Sequence, residues 1–339
     1  MKKMRTTDLQ DVIALLNSVK EQDAPVLIVT HERPDGDAVG SASALWYLLT
    51  ENGVRAKLYF QDELPDAYRT FVPDEGLCTP DENGVLQVNS FSMILSADAS
   101  TPKRIGMNGI DPATVQIPFA AVDHHPDHID FAKLTFIDPT ASSAAEIVFE
   151  LAKTANWIIS ADAATRLYLG VTTDTGCFRF DNTTPRALRT AADLKELSAD
   201  SHRVIDRAYF SKPFNMARFE AELFCRALRT AEEGRVAWFM ITNEMLARFN
   251  VNIRNTENLI ENLRQIEGVT VAALIKPTSN PGIFKVSLRS KDDNVSVGKV
   301  ARRLNGGGHE LAAGCTIFAK SPENAEEILL KHIGMELKK

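Results

Sequence analysis

The feature that most constrains the fold is a series of short apolar runs that each lead into acidic residues. In chain order the runs reach the loop with Asp35 and Asp37, then Asp98, Asp123 and Asp174. Apolar runs this short and rich in β-branched residues are typical of buried strands. Because parallel strands present their carboxyl ends at one edge of a sheet, we expect these acids to converge there.

The order of elements around the first run predicts that the sheet is parallel. A strand over 24–30 is followed by a helix over 38–49 and a strand over 54–60. This strand–helix–strand order favours an α/β fold with a parallel sheet and helices on both faces. Further elements are predicted over residues 91–97, 117–122, 144–154, 161–168 and 185–197.

The length of 339 residues indicates two domains, at about 150 residues each. We predict a catalytic domain over 1–199, a helical linker over 200–234 with a long helix from Met216 to Glu233, and a smaller mixed-sheet α/β domain over 235–339. The active site is expected in the cleft between the domains. Elements of the second domain are predicted over 236–241, 256–266, 269–275, 283–288, 297–304, 315–318 and 322–333.

Charge and composition exclude several classes of protein. The formal net charge is −7, so any site for a polyanion must be a local basic patch. The cysteines form no CxxC pair and are predicted to be free thiols in a reducing compartment. The N-terminus is typical of an amphipathic helix, not of a signal peptide, and no apolar stretch approaches the ~18 residues of a membrane span. We expect a cytoplasmic protein with no membrane contact.

Polar side chains at the predicted strand ends form a candidate metal site. They are His31, Asp35, Asp37, Asp98, Asp123, His124, His125 and Asp174. Crowded carboxylates and imidazoles lose their hydration, and the groups of like charge repel one another, unless they bind cations. Many carboxylates with fewer imidazoles suit Mn²⁺ or Mg²⁺ better than tetrahedral zinc. Two such ions, about 3.5–4 Å apart, polarise a phosphoryl oxygen and supply a hydroxide, which indicates phosphoester hydrolysis.

Each part of this candidate site also has a simpler interpretation. Asp35-Gly36-Asp37 is typical of a turn, and Asp98 and Asp174 are typical of turn or cap positions. The coincidence of four acidic strand ends favours the metal site. Three further histidines are interpreted as surface residues and left out of the site: His128, His202 and His332.

The second domain contains the glycine-rich segment Asn305-Gly306-Gly307-Gly308-His309. Consecutive glycines let the backbone approach a ligand and present N–H groups to an anion. Residues 285–303 carry six basic and two acidic side chains, a local charge of +4. The alternative is a flexible loop beside a solvated basic face. With Arg289 nearby, the segment favours recognition of a phosphate or nucleotide.

Several segments resemble the successive motifs of one known family. VTHERPDGDAVGS, the acid of SADAS, AVDHH and GVTTDTGCFRF are similar to motifs of the DHH phosphoesterase family. LRS followed by NGGGHELAAGC resembles its associated C-terminal domain. The two-domain length of the chain is similar to that of proteins in the nanoRNase branch of this family. Members of that branch remove mononucleotides from very short oligonucleotides and in some cases dephosphorylate 3′-phosphoadenosine 5′-phosphate (pAp).

The resemblance implies two ion sites that share one ligand. It implies that one Mn²⁺ is held by His31, Asp35 and Asp98. It implies that the second ion, with Asp98 as the bridge, is held by Asp37, Asp98, His124 and Asp174. Mg²⁺ is the alternative metal.

The same resemblance implies the remaining roles. Asp123 would orient the triplet, and His125 would face the scissile phosphate. Arg104 matches a basic position of the family. The far end of the substrate would be gripped by Arg289, Gly306, Gly307, Gly308 and His309. Asn305 is a departure, because the family often has a fourth glycine there.

The implied function is hydrolysis of short oligonucleotides to mononucleotides, and of pAp to AMP, by metal-activated water. The implied partners are short single-stranded oligonucleotides or small nucleotides, and a homodimer is left open. The alternatives are a phosphodiesterase for cyclic dinucleotides or pApA, a RecJ-type exonuclease and a nucleotide-sensing module without turnover. A pyrophosphatase is disfavoured by the glycine-rich segment.

Overall fold

The computed structural model describes residues 4–256 and 259–337. The chain divides into two compact units, Met1–Ser211 and Lys212–Lys339. The functional division into a catalytic domain, a linker and a binding domain stays a prediction. No helix in the described ranges is long and apolar enough to cross a membrane. Cys78, Cys177, Cys225 and Cys315 are free thiols, as predicted.

The first unit is built on a six-stranded sheet with the order β1-β6-β5-β4-β2-β3. Its strands are β1 Met4–Thr6, β2 Val26–Val29, β3 Ala56–Tyr59, β4 Met93–Ala97, β5 Phe119–Asp123 and β6 Leu134–Ile137. Neighbouring strands pair in parallel throughout, which confirms the predicted parallel sheet. The carboxyl ends of β2, β4 and β5 therefore lie side by side.

Seven α-helices belong to the described part of this unit. They are α1 Leu9–Val19, α2 Gly36–Glu51, α3 Asp66–Arg69, α4 Ala144–Thr154, α5 Ala161–Asp174, α6 Pro185–Glu196 and α7 Ser201–Ile205. One face of the sheet packs against α1, α2, α4 and α5. The other face packs against irregular chain, including Leu86, Met107 and Phe131. Helices on both faces were expected, but this second cluster contains no α-helical residue within the described ranges.

Helices α2 and α5 pack against each other at glycines. A Cβ atom at Gly40 would lie 2.6 Å from the carbonyl oxygen of Arg166, and one at Gly36 would lie 2.4 Å from Thr173 Oγ1. Because neither glycine carries a side chain, the two backbones approach closely. This contact brings the first turn of α2 beside the last turn of α5.

The second unit has a mixed six-stranded sheet with the order β11-β12-β10-β9-β8-β7. Its strands are β7 Leu228–Ala231, β8 Val236–Met240, β9 Val271–Pro277, β10 Ile283–Ser290, β11 Gly307–Gly308 and β12 Ala312–Phe318. Only β8 and β9 pair in parallel among the strands described here. The helices are α8 Phe214–Glu222, α9 Asn243–Phe249, α10 Leu259–Arg264, α11 Val297–Arg303 and α12 Pro322–Leu337.

Two predictions of secondary structure are wrong. The long helix from Met216 to Glu233 ends in a wider helical turn after α8, and the chain then forms β7, because Leu228 pairs with Phe239 of β8. The apolar run that leads into Asp174 is predicted as a strand, but its residues 169–173 belong to α5. A helix buried on nearly all sides shows a continuous apolar run, which periodicity does not distinguish from a buried strand. The predicted helix over 256–266 corresponds to α10, and Glu257 and Asn258 lie outside the described residues.

Candidate metal centre

The predicted polar residues of the first unit meet at the carboxyl edge of its sheet. His31 follows β2, Asp98 follows β4, and Asp123 is the last residue of β5. Asp35 caps the N-terminus of α2 by accepting the N–H groups of Asp37 and Ala38, both at 3.1 Å. Asp174 comes from the end of α5 and not from a strand, so its predicted origin was wrong although it reaches the same place.

Three groups of side chains each bring potential ligand atoms within 4.8 Å of one another. The groups are His31 with Asp35 and Asp98, Asp37 with His124 and Asp174, and Asp98 with His124 and His125. Asp98 lies between two of the imidazoles: its Oδ2 is 3.5 Å from His31 Nε2, and its Oδ1 is 3.6 Å from His124 Nε2. The first group has the residues that the resemblance implied for one ion site. The second lacks Asp98, the residue that the resemblance implied as the bridge.

Asp98 is the most strained member of this site. It is 2% exposed, and its Oδ1 has no hydrogen-bond partner within the described ranges. Its φ of 57° lies in the left-handed region, which is uncommon outside glycine and costs free energy. The separations of 3.5–3.6 Å to the imidazoles are too long for good hydrogen bonds. A buried carboxylate oxygen without a donor fits a cation ligand, so the site meets the chemical requirement for a metal.

Asp37 is held by the start of α4. Its two carboxylate oxygens accept the N–H groups of Ala144 at 2.6 Å and Ala145 at 3.0 Å, where the helix dipole favours negative charge. Burial nevertheless raises the pKa of Asp37, and the charges of Asp98 and Asp174 raise it further. These carboxylates repel one another at neutral pH, and a divalent cation would relieve that repulsion.

His31 and Asp174 are also shifted by their neighbours. Burial lowers the pKa of His31, but hydrogen bonding and charge from Asp35 and Asp98 outweigh this and raise it to about 11. Its Nδ1 lies 2.8 Å from the carbonyl oxygen of Glu32, which only accepts, so Nδ1 carries a proton and Nε2 faces the acids. Burial and the charge of Asp98 raise the pKa of Asp174.

Asp123 is fully buried and anchors the histidines that follow it. Its Oδ1 accepts the His124 N–H at 2.9 Å and the His125 Nδ1 proton at 2.8 Å. Burial raises the pKa of Asp123, but hydrogen bonds from His125 and His128 outweigh it and hold the pKa well below its usual value. Burial lowers the pKa of His125, whereas Asp123 and Asp98 raise it to about 9.

The sequence interpretation missed His128. It was expected at the surface, but its side chain is completely buried and its Nδ1 donates to Asp123 Oδ2 at 2.5 Å. His128 lies in an irregular loop, where no periodicity indicates which side chains point inward. His202 is exposed, and the His332 ring bonds the carbonyl of Ile328, one turn earlier in α12.

Arg104 lies on a loop that is tied to the segment containing His31. The N–H of Glu32 donates to the Arg104 carbonyl at 2.7 Å, and the N–H of Gly106 donates to Thr30 at 2.8 Å. The side chain of Arg104 is exposed. The structure thus places this basic residue next to the metal-site segment and leaves it accessible.

The predicted residues of the second unit gather at one end of its sheet. Arg289 of β10 pairs with Ala312 of β12, and the His309 N–H donates to the Ala312 carbonyl at 2.8 Å. Arg289 and His309 therefore flank the same residue. Arg289 is oriented by Glu261, whose Oε1 accepts the Nε proton at 2.9 Å. Its Nη1 also donates to the Leu288 carbonyl at 3.1 Å, which leaves the Nη2 group and one Nη1 N–H for another acceptor.

The three glycines of this segment differ in whether the structure has room for a side chain at their position. A Cβ atom at Gly306 would lie 2.2 Å from the Gly314 carbonyl oxygen, and one at Gly308 would lie 2.6 Å from that of Ala312. Both are therefore needed for packing against β12, whereas no atom lies within 4 Å of a Cβ at Gly307. Asn305 has a φ of 56°, a left-handed conformation that asparagine tolerates, which explains why a glycine is dispensable there.

The local basic excess of this unit is smaller than the sequence suggested. Arg302 pairs with Glu310 at 2.7 Å, and Arg303 pairs with the buried Glu336 at 2.6 Å. Both acids lie outside residues 285–303, over which the excess was counted. Binding of an anion here therefore depends on particular donors and less on net charge.

Comparison with known proteins identifies both units. The family model for the N-terminal domain of the DHH family matches residues 25–171, and that for the DHHA1 domain matches residues 235–339. The chain is 28% identical to the bifunctional oligoribonuclease and PAP phosphatase NrnA of Thermus thermophilus, over 94% of this chain and 92% of that protein. It is 28% identical to the enzyme of the same name from Bacillus subtilis, over 90% of this chain and 92% of that enzyme.

Solved structures share the fold. An exopolyphosphatase-related protein from Bacteroides fragilis is similar with a TM-score of 0.85, over 97% of this chain and 98% of that one, at 23% identity. Exonuclease RecJ bound to manganese is similar with a TM-score of 0.51 at 13% identity, over 98% and 94%. At these identities the similarity establishes the fold alone.

Proposed function

This chain belongs to the DHH family and carries a DHHA1 domain, and on that premise we propose that it is a metal-dependent phosphoesterase. Its proposed substrates are short oligoribonucleotides, hydrolysed to mononucleotides, and pAp, hydrolysed to AMP. The observation that carries the proposal is the buried Asp98 carboxylate, which contributes an unbonded oxygen to a site of carboxylates and imidazoles. The similarity to two enzymes named oligoribonuclease and PAP phosphatase supports the substrate class.

The proposed ligands divide between two ions with Asp98 in common. One ion is assigned to His31, Asp35 and Asp98. The other is assigned to Asp37, Asp98, His124 and Asp174. When bound, two divalent cations, for which we propose Mn²⁺, neutralise phosphate oxygens and activate a water for attack on phosphorus.

Side chains that do not bind metal are assigned to the phosphate and to the leaving group. His125 donates its Nδ1 proton to Asp123, which leaves Nε2 to face the scissile phosphate and protonate the leaving oxygen. Asp123 fixes this orientation. Arg104 and Arg289, with His309 and Gly307, are assigned to the rest of the substrate. An Arg289 held at Nε by Glu261 presents its remaining donors in a fixed plane, which suits a phosphate.

A substrate panel tests this function. The protein is incubated with Mn²⁺ and, separately, pAp, a dinucleotide, pApA, cyclic di-AMP, a long oligonucleotide and pyrophosphate, and the initial rates are ranked. We expect the dinucleotide and pAp to be hydrolysed fastest. A preference for cyclic di-AMP or pApA would favour the alternative, a phosphodiesterase for cyclic dinucleotides or pApA. Turnover of none of them, with metal bound, would favour a sensing module.

A further inference from the structure

The two oxygens of Asp123 have different donors. Among the described residues, the donors to Oδ1 all belong to the segment that follows it: the N–H of His124 and the N–H and Nδ1 of His125. Oδ2 accepts from the Nδ1 of His128 at 2.5 Å. Asp123 is 0% exposed, so water does not replace a missing donor without penetration of the core. The plane of the carboxylate is thus set from one side by the candidate site and from the other by His128.

We propose that His128 is a positioning residue for the hydrolysis: it fixes the Asp123 carboxylate, which in turn fixes the ring and tautomer of His125. This role rests on the proposed function, in which His125 Nε2 faces the phosphate. If Oδ2 lost its donor, the carboxylate would rotate or protonate to satisfy that oxygen, and the His125 ring would lose its partner in the required plane. Partners of this kind typically affect activity by about 10–100-fold when removed.

His128 is itself held from the far side. Its Nε2 is buried and has no hydrogen-bond partner within the described ranges, since Asp130 Oδ1 is 3.9 Å away. The Arg5 guanidinium binds both Asp130 and the backbone carbonyl oxygen of His128, at 2.8 Å in each case. The ring also packs against Phe131 with centroids 5.3 Å apart. The Phe131 ring restrains the plane of the imidazole, and the Arg5 bond restrains the backbone of His128, so that Nδ1 stays directed at Asp123.

A second interpretation is that the Asp123–His128 bond only stabilises the fold. The two roles make different predictions. A stabilising bond would change the unfolding temperature and leave kcat of the folded enzyme unchanged. A positioning bond lowers kcat at temperatures where the variant is fully folded and leaves KM close to that of the wild type, because the substrate-binding groups assigned above are untouched.

Three substitutions separate these roles. His128→Ala removes the donor, His128→Asn places an amide N–H near the position of Nδ1, and His128→Gln places it near that of Nε2. We expect kcat to fall about 10–100-fold in the alanine variant, to recover mostly in the asparagine variant, and to stay low in the glutamine variant. Equal kcat values for folded asparagine, glutamine and wild-type enzymes would overturn the proposal. If the alanine variant does not fold, the asparagine and glutamine pair still decides.

A double substitution tests whether His128 acts through His125. In a His125→Ala background, His128→Ala should lower kcat no further, because the group that it positions is gone. An equal additional loss in that background would contradict the proposed route.

A spectroscopic measurement separates this proposal from the proposed function. In the metal-free protein at a pH above the His125 pKa of about 9, where the ring is neutral, ¹⁵N chemical shifts should report a protonated Nδ1 in the wild type and in His128→Asn, and a tautomer mixture in His128→Gln. This readout does not require turnover. A wild type with no activity on any substrate would refute the proposed function, whereas an unchanged His125 tautomer in His128→Gln would refute the positioning role.

Discussion

Gly170 of α5 lies so close to Asp37 of α2 that a Cβ atom there would be 2.4 Å from Asp37 Oδ1. The missing side chain leaves room for a buried carboxylate that also accepts two N–H groups from α4. A glycine in the middle of a helix costs about 0.5–1 kcal/mol relative to alanine. At Gly170 that cost is offset by space for a candidate metal ligand.

Gly170→Ala is therefore expected to impair the site despite the higher helix propensity of alanine. The methyl group should displace Asp37 or separate α2 from α5, at a cost of about 1–3 kcal/mol in the free energy of unfolding. Titration calorimetry should show weaker Mn²⁺ binding. The matched control is Gly334→Ala in α12, where the nearest atom to a Cβ is 3.7 Å away, and stability should not fall. Unchanged metal affinity in Gly170→Ala would contradict the assignment of Asp37.

Metal removal should change how stability depends on pH. The pKa values of Asp37 and Asp174 are raised in the folded protein by burial and by neighbouring carboxylates, and that of His31 is raised to about 11 by Asp35 and Asp98. In each case the folded state binds more protons than the unfolded one. The metal-free protein should therefore lose stability as pH rises above the unfolded pKa of an aspartate, and further above that of a histidine.

Mn²⁺ replaces these protons and should flatten this dependence. At 100 times its dissociation constant, an ion that binds only the folded state adds about 2.7 kcal/mol per site. Thermal unfolding across the pH range, with Mn²⁺ and with chelator, measures both effects. Asp174→Asn should stabilise the metal-free protein at neutral pH, since it removes a repelled charge, and should reduce the stabilisation by Mn²⁺. A metal-free protein whose stability rises with pH above about pH 5, where ordinary aspartates are already ionised, would contradict this electrostatic description.

Glu261→Gln should raise KM and leave kcat close to that of the wild type. The Glu261 carboxylate holds Arg289 at Nε, and an amide orients the guanidinium less firmly. A loss of about 0.5–1.5 kcal/mol in binding corresponds to roughly a two- to tenfold increase in KM. Steady-state kinetics with a dinucleotide measures it. Glu267→Gln, at an exposed position after the same helix, serves as the control. A fall in kcat at constant KM would place Arg289 in the chemical step instead.

Arg186→Met should destabilise the first unit without a direct effect on the metal site. Arg186 binds Asp138 and the fully buried Glu146, both at 2.6 Å. Removing the cation leaves Glu146 buried, with Ser142 as its side-chain partner among the described residues. We expect a cost of about 3 kcal/mol, at the low end for a broken buried pair because about a third of Arg186 is exposed. Urea unfolding at neutral pH, with the exposed Arg189→Met as control, measures this loss.

The acid dependence of the same variant provides a second check. Burial raises the pKa of Asp138, but hydrogen bonds from Thr140 and Arg186 outweigh this and lower it. A lowered folded pKa contributes stability above the unfolded value near 4, and this stability is lost as pH falls through the folded value. The wild type should therefore lose more stability than Arg186→Met below about pH 4. If the two proteins lost the same free energy of unfolding in acid, that result would contradict the role of this ion pair.

The sequence predicted the parts of the site that depend on strand order. His31, Asp98 and Asp123 follow β2, β4 and β5, and parallel pairing alone brings them together. Asp174 was predicted at the right place for the wrong reason, because the apolar run before it belongs to a buried helix. Its position depends on the contact between α2 and α5, which is a tertiary feature that local periodicity does not contain.

Other features were not predictable from local pattern. The short strands β1 and β6 form because each has a neighbouring strand to pair with, as the pairing of Met4 with Leu134 shows. Each is too short for an alternation of apolar and polar residues to be recognised in the sequence. The buried His128 side chain packs against Phe131, and its backbone carbonyl is bound by Arg5, which is distant in the sequence. The packing role of Gly306 and Gly308 also requires knowledge of β12.

The turnover of an Asp98→Asn variant tests the central claim most directly. The substitution preserves the size of the side chain and removes the charge shared by the two proposed ion sites. Circular dichroism establishes that the variant is folded, and kcat/KM is then measured with saturating Mn²⁺ on pAp and on a dinucleotide. We predict that kcat/KM falls by more than about 10³-fold on both substrates, since several kcal/mol of charge stabilisation depend on the ions. A folded Asp98→Asn enzyme with the kcat/KM of the wild type would contradict the two-metal account.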